Sequence, residues 1–369
     1  MKTEVIQINA REPEIEKIKQ TANLIIEGSL VVIPTDTVYG IAANMLNKKT
    51  IQRLAEIKQR PKDKPFSLHI ASKEEVEKYA LGILPAAYRL IERFWPGPLT
   101  LVLKSRDNSK VGIRMPNHAV ALSIIQEVNL PVVCPSANLS GNPTCHTVDE
   151  VLKDLNGLVD LVIDAGSTPL GIESTIIDAT KLPIEIIREG ALNRDKIEAV
   201  VNKKTVLFVC TGNSCRSVMA QALLEKTLKA KNRQDIEVLS AGIMMLGGLG
   251  ATPETQELLR QEGIDVSGHH SQMATKDMLK KADIILVMEK LHEERILKLA
   301  PEVKLRLFLL KEFANPVRNT HFNLAKISNG TKIKDNNLDI ADPIGKSREF
   351  YNQTFAIIKE AIERVAEII

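Results

Sequence analysis

Cysteine is scarce, with 4 in 369 residues. So few thiols in so long a chain build no disulfide framework, and they fit a reducing compartment where cysteine serves chemistry or simple packing. Long apolar runs are missing as well. No stretch approaches the roughly 18 apolar residues that span a bilayer, and the opening MKTEVIQINAREPEIEKIKQ mixes charges throughout, without the apolar centre of a secretory signal. A cytoplasmic protein with no membrane partner is expected. Nor is there an excess of one charge: 49 basic and 46 acidic residues leave a formal net charge of +3, too little to argue for binding nucleic acid or lipid. Any basic surface must be local. No internal repeat is found.

The rest of the composition, 44% apolar and 26% charged, is that of a globular protein, and the length exceeds one hydrophobic core, so two domains are expected. The charged stretch NRDKIEAVVNKK, residues 193–204, sits just before a new apolar strand, TVLFVC, which places the domains at 1–200 and 201–369. In the first, apolar runs (LVVIP, LTLVL, LPVVCPS, LVIDAG) alternate with amphipathic stretches (TIQRLAEIKQ, AYRLIERF), which predicts a twisted α/β domain. In the second, TVLFV, IEVLSAG, ADIILVM and LRLFLL read as buried strands separated by helices, with FYNQTFAIIKEAIERVAEII as a closing helix. That predicts a parallel, Rossmann-like sheet. Residues 314–337 form a polar, Asn-rich stretch that is long for a loop.

Two of the four cysteines lie in VCTGNSCRS, residues 209–217. Cys210 directly follows a buried strand and Ser217 opens a helix, so Thr211, Gly212, Asn213, Ser214 and Cys215 wrap the positive end of that helix. Backbone N–H groups, the helix dipole and the Arg216 guanidinium together make a cradle for a tetrahedral oxyanion and favour the Cys210 thiolate. Five residues separate Cys210 from Arg216, enough for the chain to curl so that the two flank one phosphate, with the Ser217 hydroxyl on the sulfur. A buried cysteine before a glycine turn would explain Cys-Thr-Gly alone but not the arginine, the serine and the helix after it. No second Cys or His pair has metal-ligand spacing with Cys210 and Cys215, so no metal is expected.

With VLFVCTGNSCRS, SAG, ATPET, GIDVSGHHSQ, KADIILVM and ADPIGKSREFYNQT, residues 205–369 resemble the low-molecular-weight protein tyrosine phosphatase family, including its phosphoarginine-specific branch. The resemblance implies a phosphocysteine mechanism on a phosphorylated protein substrate. Cys210 would be nucleophile, Arg216 transition-state clamp, and Asp342 general acid and then base. Cys215 is placed either to form a reversible disulfide with Cys210 or to pack as a small thiol. Arsenate reductases of this fold need further cysteines downstream, and none follows Cys215.

The first domain carries KQRPKDKP, which sets Lys58, Arg60, Lys62 and Lys64 on one segment stiffened by Pro61 and Pro65. Cations so held lose less entropy on meeting a triphosphate than cations on a flexible tail, although a solvated loop is the commoner use of such a run. Around it PTDTVYG, RFWPGPLTLVL, GIRMPNH, CPSANLSG, GIESTIID and IIREGAL occur in order, and over about residues 10–192 the chain resembles the YrdC-like threonylcarbamoyl-AMP synthases. The resemblance implies that L-threonine and bicarbonate give a carbamate, which attacks the α-phosphate of ATP and releases pyrophosphate. The product would pass to tRNA-modification proteins. Thr37, His69, Arg114, Ser136 and Ser174 would bind threonine; Lys58, Arg60, Lys64, Asn138 and Arg188 would bind ATP, with Mg²⁺ on the triphosphate and no permanently bound cofactor. Two departures stand out: TCHT, Thr144–Thr147, replaces the usual Ser-Pro-Thr-Thr and unsettles one ATP contact, and a phosphatase-like domain occupies the place of the C-terminal domain of longer members. An RNA-binding or ribosome-assembly module is the rival reading of this half. The small polar residues suited to threonine favour the enzyme.

Overall fold

The computed structural model describes residues 2–61, 65–244, 248–315 and 338–369. The chain divides into two compact units, Met1–Val201 and Asn202–Ile369. Among the described residues no helix is long and apolar enough to cross a membrane.

The first unit is built on ten strands: β1 (Glu4–Gln7), β2 (Val31–Ile33), β3 (Gly40–Asn44), β4 (Leu68–His69), β5 (Leu99–Lys104), β6 (Lys110–Arg114), β7 (Val132–Val133), β8 (Leu161–Asp164), β9 (Thr175–Asp178) and β10 (Glu185–Arg188). They form one mixed sheet in the order β1-β8-β2-β3-β7-β4-β6-β5-β9-β10. The run LVVI supplies both faces. Val31 and Ile33 pack with Ile18, Ala22 and Ile25 of helix Ile15–Glu27, whereas Leu30 and Val32 pack with Leu54 of helix Lys48–Ile57. A strand buried on both sides reads as continuous apolar sequence for this reason. Helix Lys48–Ile57 starts where the Asn47 side chain accepts the Thr50 N–H, and Lys58 and Arg60 follow just past its end. Gly40 opens β3 where no side chain fits: a Cβ there would stand 2.5 Å from Cys134 Sγ.

The second unit contains β11 (Lys204–Cys210), β12 (Ile236–Gly242), β13 (Ile284–Val287) and β14 (Leu307–Leu309), all parallel, in the order β12-β11-β13-β14. One face is covered by helices Arg216–Ala230 and Arg348–Ile368, the other by side chains of Lys276–Lys281 and Lys290–Leu299. The chain leaves β11 to one side, for β12, and later returns to the other, for β13. Open parallel sheets bind ligands at the carboxyl end of such a switch, and Cys210 is the last residue of β11.

Candidate active sites

In the first unit, the two-residue period of a strand turns Ser67 and His69, Cys134 and Ser136, and Ser174 and Ile176 to a common face, where all six line one concavity. Thr35, Thr37, Lys58, Arg60, Thr100, Arg114, Glu173 and Arg188 complete its polar wall. Eight of the residues read from the sequence therefore converge on one pocket, and Asn138 joins them through hydrogen bonds. Lys64 lies outside the described residues.

Arg114, buried at the end of β6, donates from Nη2 to Asp36 Oδ1 (2.6 Å), from Nη1 to Thr37 Oγ1 (2.8 Å) and from Nε to the Gly97 carbonyl (3.2 Å). Asp36 and Thr37 belong to PTDTVYG, so this buried ion pair fixes the β2–β3 loop to the sheet. A guanidinium has five N–H donors, and two of Arg114's remain beyond these bonds. Beside it, burial and the Arg114 charge push the His69 imidazole down to about 3, so it is neutral. His69 Nδ1 and Asp36 Oδ2 are buried with no hydrogen-bond partner among the described residues. Lys58 Nζ is bound inward, donating to the Ser136 carbonyl (2.9 Å), the Asn138 carbonyl (2.6 Å) and Asn138 Oδ1 (2.9 Å). Burial lowers its ammonium to about 8. Arg188 bridges Glu173 (2.7 Å) and the Ser174 carbonyl (2.8 Å), and Arg60 lies over the Phe66 ring at 4.8 Å. In the TCHT stretch Cys145 is packed in the core, His146 N–H donates to Glu150, and Thr147 caps helix Val148–Leu155.

In the second unit the loop Thr211–Cys215 joins β11 to helix Arg216–Ala230, as the sequence suggested. Cys210 Sγ stands 3.0 Å from Ser217 Oγ. Asn213, at φ 51°, turns the loop; its Nδ2 donates to Ser217 Oγ (3.0 Å) and Ser240 Oγ (2.9 Å), and its Oδ1 accepts the Gln272 N–H (2.9 Å). His269 Nε2 donates to the Asn213 carbonyl at 2.7 Å. Arg216, 1% exposed, makes an ion pair with Asp342 through Nη2 and another with Glu289 through Nη1 (2.9 Å). Its Nη1 also donates to the Ile340 carbonyl (2.7 Å) and its Nη2 to Thr211 Oγ1 (3.0 Å). The fold thus brings Asp342, 132 residues after Cys210 in sequence, onto the arginine of the loop. Cys215 Sγ faces other partners, Thr252 Oγ1 (3.4 Å) and Tyr351 Oη (3.6 Å), and all four cysteines are free thiols.

Residues 23–190 match the Sua5/YciO/YrdC family model, described as "Telomere recombination", and residues 205–369 match the model "Low molecular weight phosphotyrosine protein phosphatase". A threonylcarbamoyl-AMP synthase from Pyrococcus abyssi is 40% identical over 228 residues, 59% of this chain and 67% of that protein. A probable low molecular weight protein-tyrosine-phosphatase, EpsP of Ralstonia nicotianae, is 32% identical over 43% of this chain and 92% of its own length. The chain joins a Sua5/YrdC domain to a low-molecular-weight phosphatase domain. A solved structure of P. abyssi Sua5 complexed with L-threonine has a TM-score of 0.52 and 28% identity, covering 83% of this chain and 99% of that one. A threonylcarbamoyl-AMP synthase of Bacillus subtilis is 37% identical over 53% of this chain, which spans only 58% of that relative's length.

Several polar residues of both sites were not singled out in the sequence. In the Sua5/YrdC unit these are Asp36, Thr35, Thr100 and Glu173; in the phosphatase unit, Glu289, His292 and the Asn213 brace of Ser240, His269 and Gln272. Asp36 lies inside the PTDTVYG block, which was its one available signal. Glu289 follows the ILVM strand end directly and His292 comes three residues later, a stretch at the ligand end of a parallel sheet.

Proposed function

We propose that the chain is a bifunctional enzyme, with a threonylcarbamoyl-AMP synthase in residues 1–200 and a cysteine-dependent protein phosphatase in residues 201–369. For the first activity the observation that carries most weight is the single polar concavity that gathers Thr37, His69, Arg114, Ser136 and Ser174 beside Arg60 and Arg188. ATP is a substrate of the Sua5 family, and L-threonine is bound in the P. abyssi relative. The buried Asp36–Arg114 pair holds Thr37 and leaves two guanidinium N–H groups for a carboxylate, while neutral His69 offers a ring nitrogen without adding charge. Arg60, Lys64 and Arg188 neutralise the Mg²⁺-bound triphosphate, and Lys58 holds Ser136 and Asn138 in place for both substrates. Catalysis is by placing the threonine carbamate in line with the α-phosphate, with no covalent intermediate. Pyrophosphate release from ATP that requires both L-threonine and bicarbonate tests this assignment; release independent of threonine contradicts it.

For the second activity the carrying observation is Cys210 on Ser217, with Arg216 and Asp342 paired on the same loop. Cys210 attacks phosphorus while Arg216 and the loop N–H groups hold the equatorial oxygens. Asp342 then gives its proton to the leaving group and later takes one from the hydrolytic water. The favoured substrate is a phosphoarginine protein. Phosphotyrosine recognition relies on aromatic walls, whereas the exposed apolar side chains after Asp342 and on the loops flanking the cradle are Ile344, Met244, Leu249 and Met273. Among the described aromatic side chains of this unit, Phe308 and Phe350 are half-buried and the others are buried. Competition between phosphoarginine and phosphotyrosine peptides should favour phosphoarginine, and a reversed ratio would overturn the preference.

A further inference from the structure

Cys210, Arg216 and Asp342 account for the phosphatase chemistry and leave the buried imidazole of His292, at the cradle, without a role. His292, in helix Lys290–Leu299, is 0% exposed. Its Nδ1 is 3.1 Å from the Glu289 backbone nitrogen. An amide N–H only donates, so Nδ1 is the acceptor and carries no proton. Burial, together with the Arg216 charge, holds the imidazole down to about 4, so near neutral pH its single proton is on Nε2. That nitrogen is 3.0 Å from Thr211 Oγ1 and 3.5 Å from Glu289 Oε2, and the shorter contact takes the proton. Arg216 Nη2 donates to the same hydroxyl oxygen at 3.0 Å.

Two donors therefore converge on Thr211 Oγ1. A hydroxyl has two lone pairs and one proton; with both lone pairs engaged, what remains to it is donation. We propose that His292 is a positioning residue that makes Thr211 a dedicated hydrogen-bond donor to the phosphoryl oxygen seated on Arg216. Thr211 directly follows the nucleophile, and it meets the Arg216 nitrogen that also carries the Asp342 carboxylate. An oxyanion oxygen on that nitrogen comes within the hydroxyl's reach. A donor locked in orientation before the reaction costs no reorganisation as charge develops in the transition state.

The proposal rests on the phosphatase reading, and its test separates the two. In the full chain, His292→Asn keeps an acceptor for the Glu289 N–H and removes the donor to Thr211, whereas His292→Gln extends an amide N–H to where Nε2 stood. Thr211→Val removes the hydroxyl. Turnover of p-nitrophenyl phosphate is measured beside orthovanadate affinity by calorimetry. Thr211→Val and His292→Asn should each lower kcat by about a hundredfold, the scale of one lost oxyanion donor, and weaken orthovanadate in parallel. The double variant should be no worse than either single one, and His292→Gln should recover most of the loss. Multiplying losses in the double variant, or Thr211→Val at the wild-type level in both readouts, would overturn the role. Absence of Cys210-dependent turnover in the wild-type chain, with the orthovanadate pattern intact, would refute the phosphatase reading and leave the His292–Thr211 assignment standing.

Discussion

Ser214 and Arg60 carry the substrate questions. Ser214 is buried in the cradle, its hydroxyl 3.8 Å from Cys215 Sγ and its carbonyl accepting the Thr252 N–H at 3.0 Å. A small polar side chain here leaves room and a hydrogen-bonding group for a guanidinium, and Ser214→Ile removes both. The ratio of phosphoarginine to phosphotyrosine turnover should fall in that variant while Cys210-dependent hydrolysis persists; an unmoved ratio would mean that Ser214 does not select. Arg60, stacked over Phe66 and donating to the Pro65 carbonyl at 2.6 Å, is held at the pocket edge before any nucleotide arrives. Arg60→Glu should weaken ATP binding by about 2–5 kcal/mol, the range for removing one member of a hydrogen-bonded charge pair, with phosphatase turnover intact. Equal ATP affinity in titration calorimetry would remove Arg60 from the site. Cys210 and Arg216 were legible because their chemistry needs them on one short loop. Asp36, Glu289 and His292 were not, since each acts through a partner far away in sequence: 78 residues separate Asp36 from Arg114, and 81 separate His292 from Thr211.

Strand ends and helix starts place these groups, and two elements bury a neutral imidazole as a result. His69 closes β4 and His292 lies in the first turn of its helix; their pKa values fall from an ordinary 6.5 to about 3 and about 4. Between those values and 6.5 the unfolded chain binds more protons than the folded one. The stabilisation is therefore complete above pH 6.5 and is lost as pH falls toward 4. Urea midpoints should drop across that window, and His292→Gln, with no ring to protonate, should flatten the drop. Equal slopes for variant and wild type between pH 6.5 and 4 would contradict the assignment. Elements with long apolar runs were legible in the sequence, among them β2, β5, β8 and all four strands of the phosphatase unit. β7, though two residues long, lies within the apolar run LPVVCPS read in the sequence, whereas β4, equally short, belongs to no such run and holds its place through neighbours on both sides in the sheet. So short a strand has no periodicity to read. The shared face of Ser67, His69, Cys134 and Ser136 became visible only with the pairing register.

For the whole molecule, the chain joins two chemistries that share no substrate and no site residue. In the proposed reading the Sua5/YrdC unit works by positioning two partners and neutralising phosphate, and the phosphatase unit through a covalent thiol. Composition alone showed neither, because a net charge of +3 summed over the whole chain carries no information on where its charges gather. The order of the motifs showed both, because each family's blocks are contiguous in the chain. The most direct measurement sets two assays side by side on the full chain and on its Cys210→Ser variant: threonine- and bicarbonate-dependent release of pyrophosphate from ATP, and hydrolysis of a phosphoarginine protein. The wild-type chain should perform both. The variant should release pyrophosphate at the wild-type rate and hydrolyse no phosphoprotein, because a serine hydroxyl near neutral pH is a far weaker nucleophile than a thiolate. Phosphatase turnover surviving in the variant, or pyrophosphate release indifferent to threonine in either protein, would contradict the account.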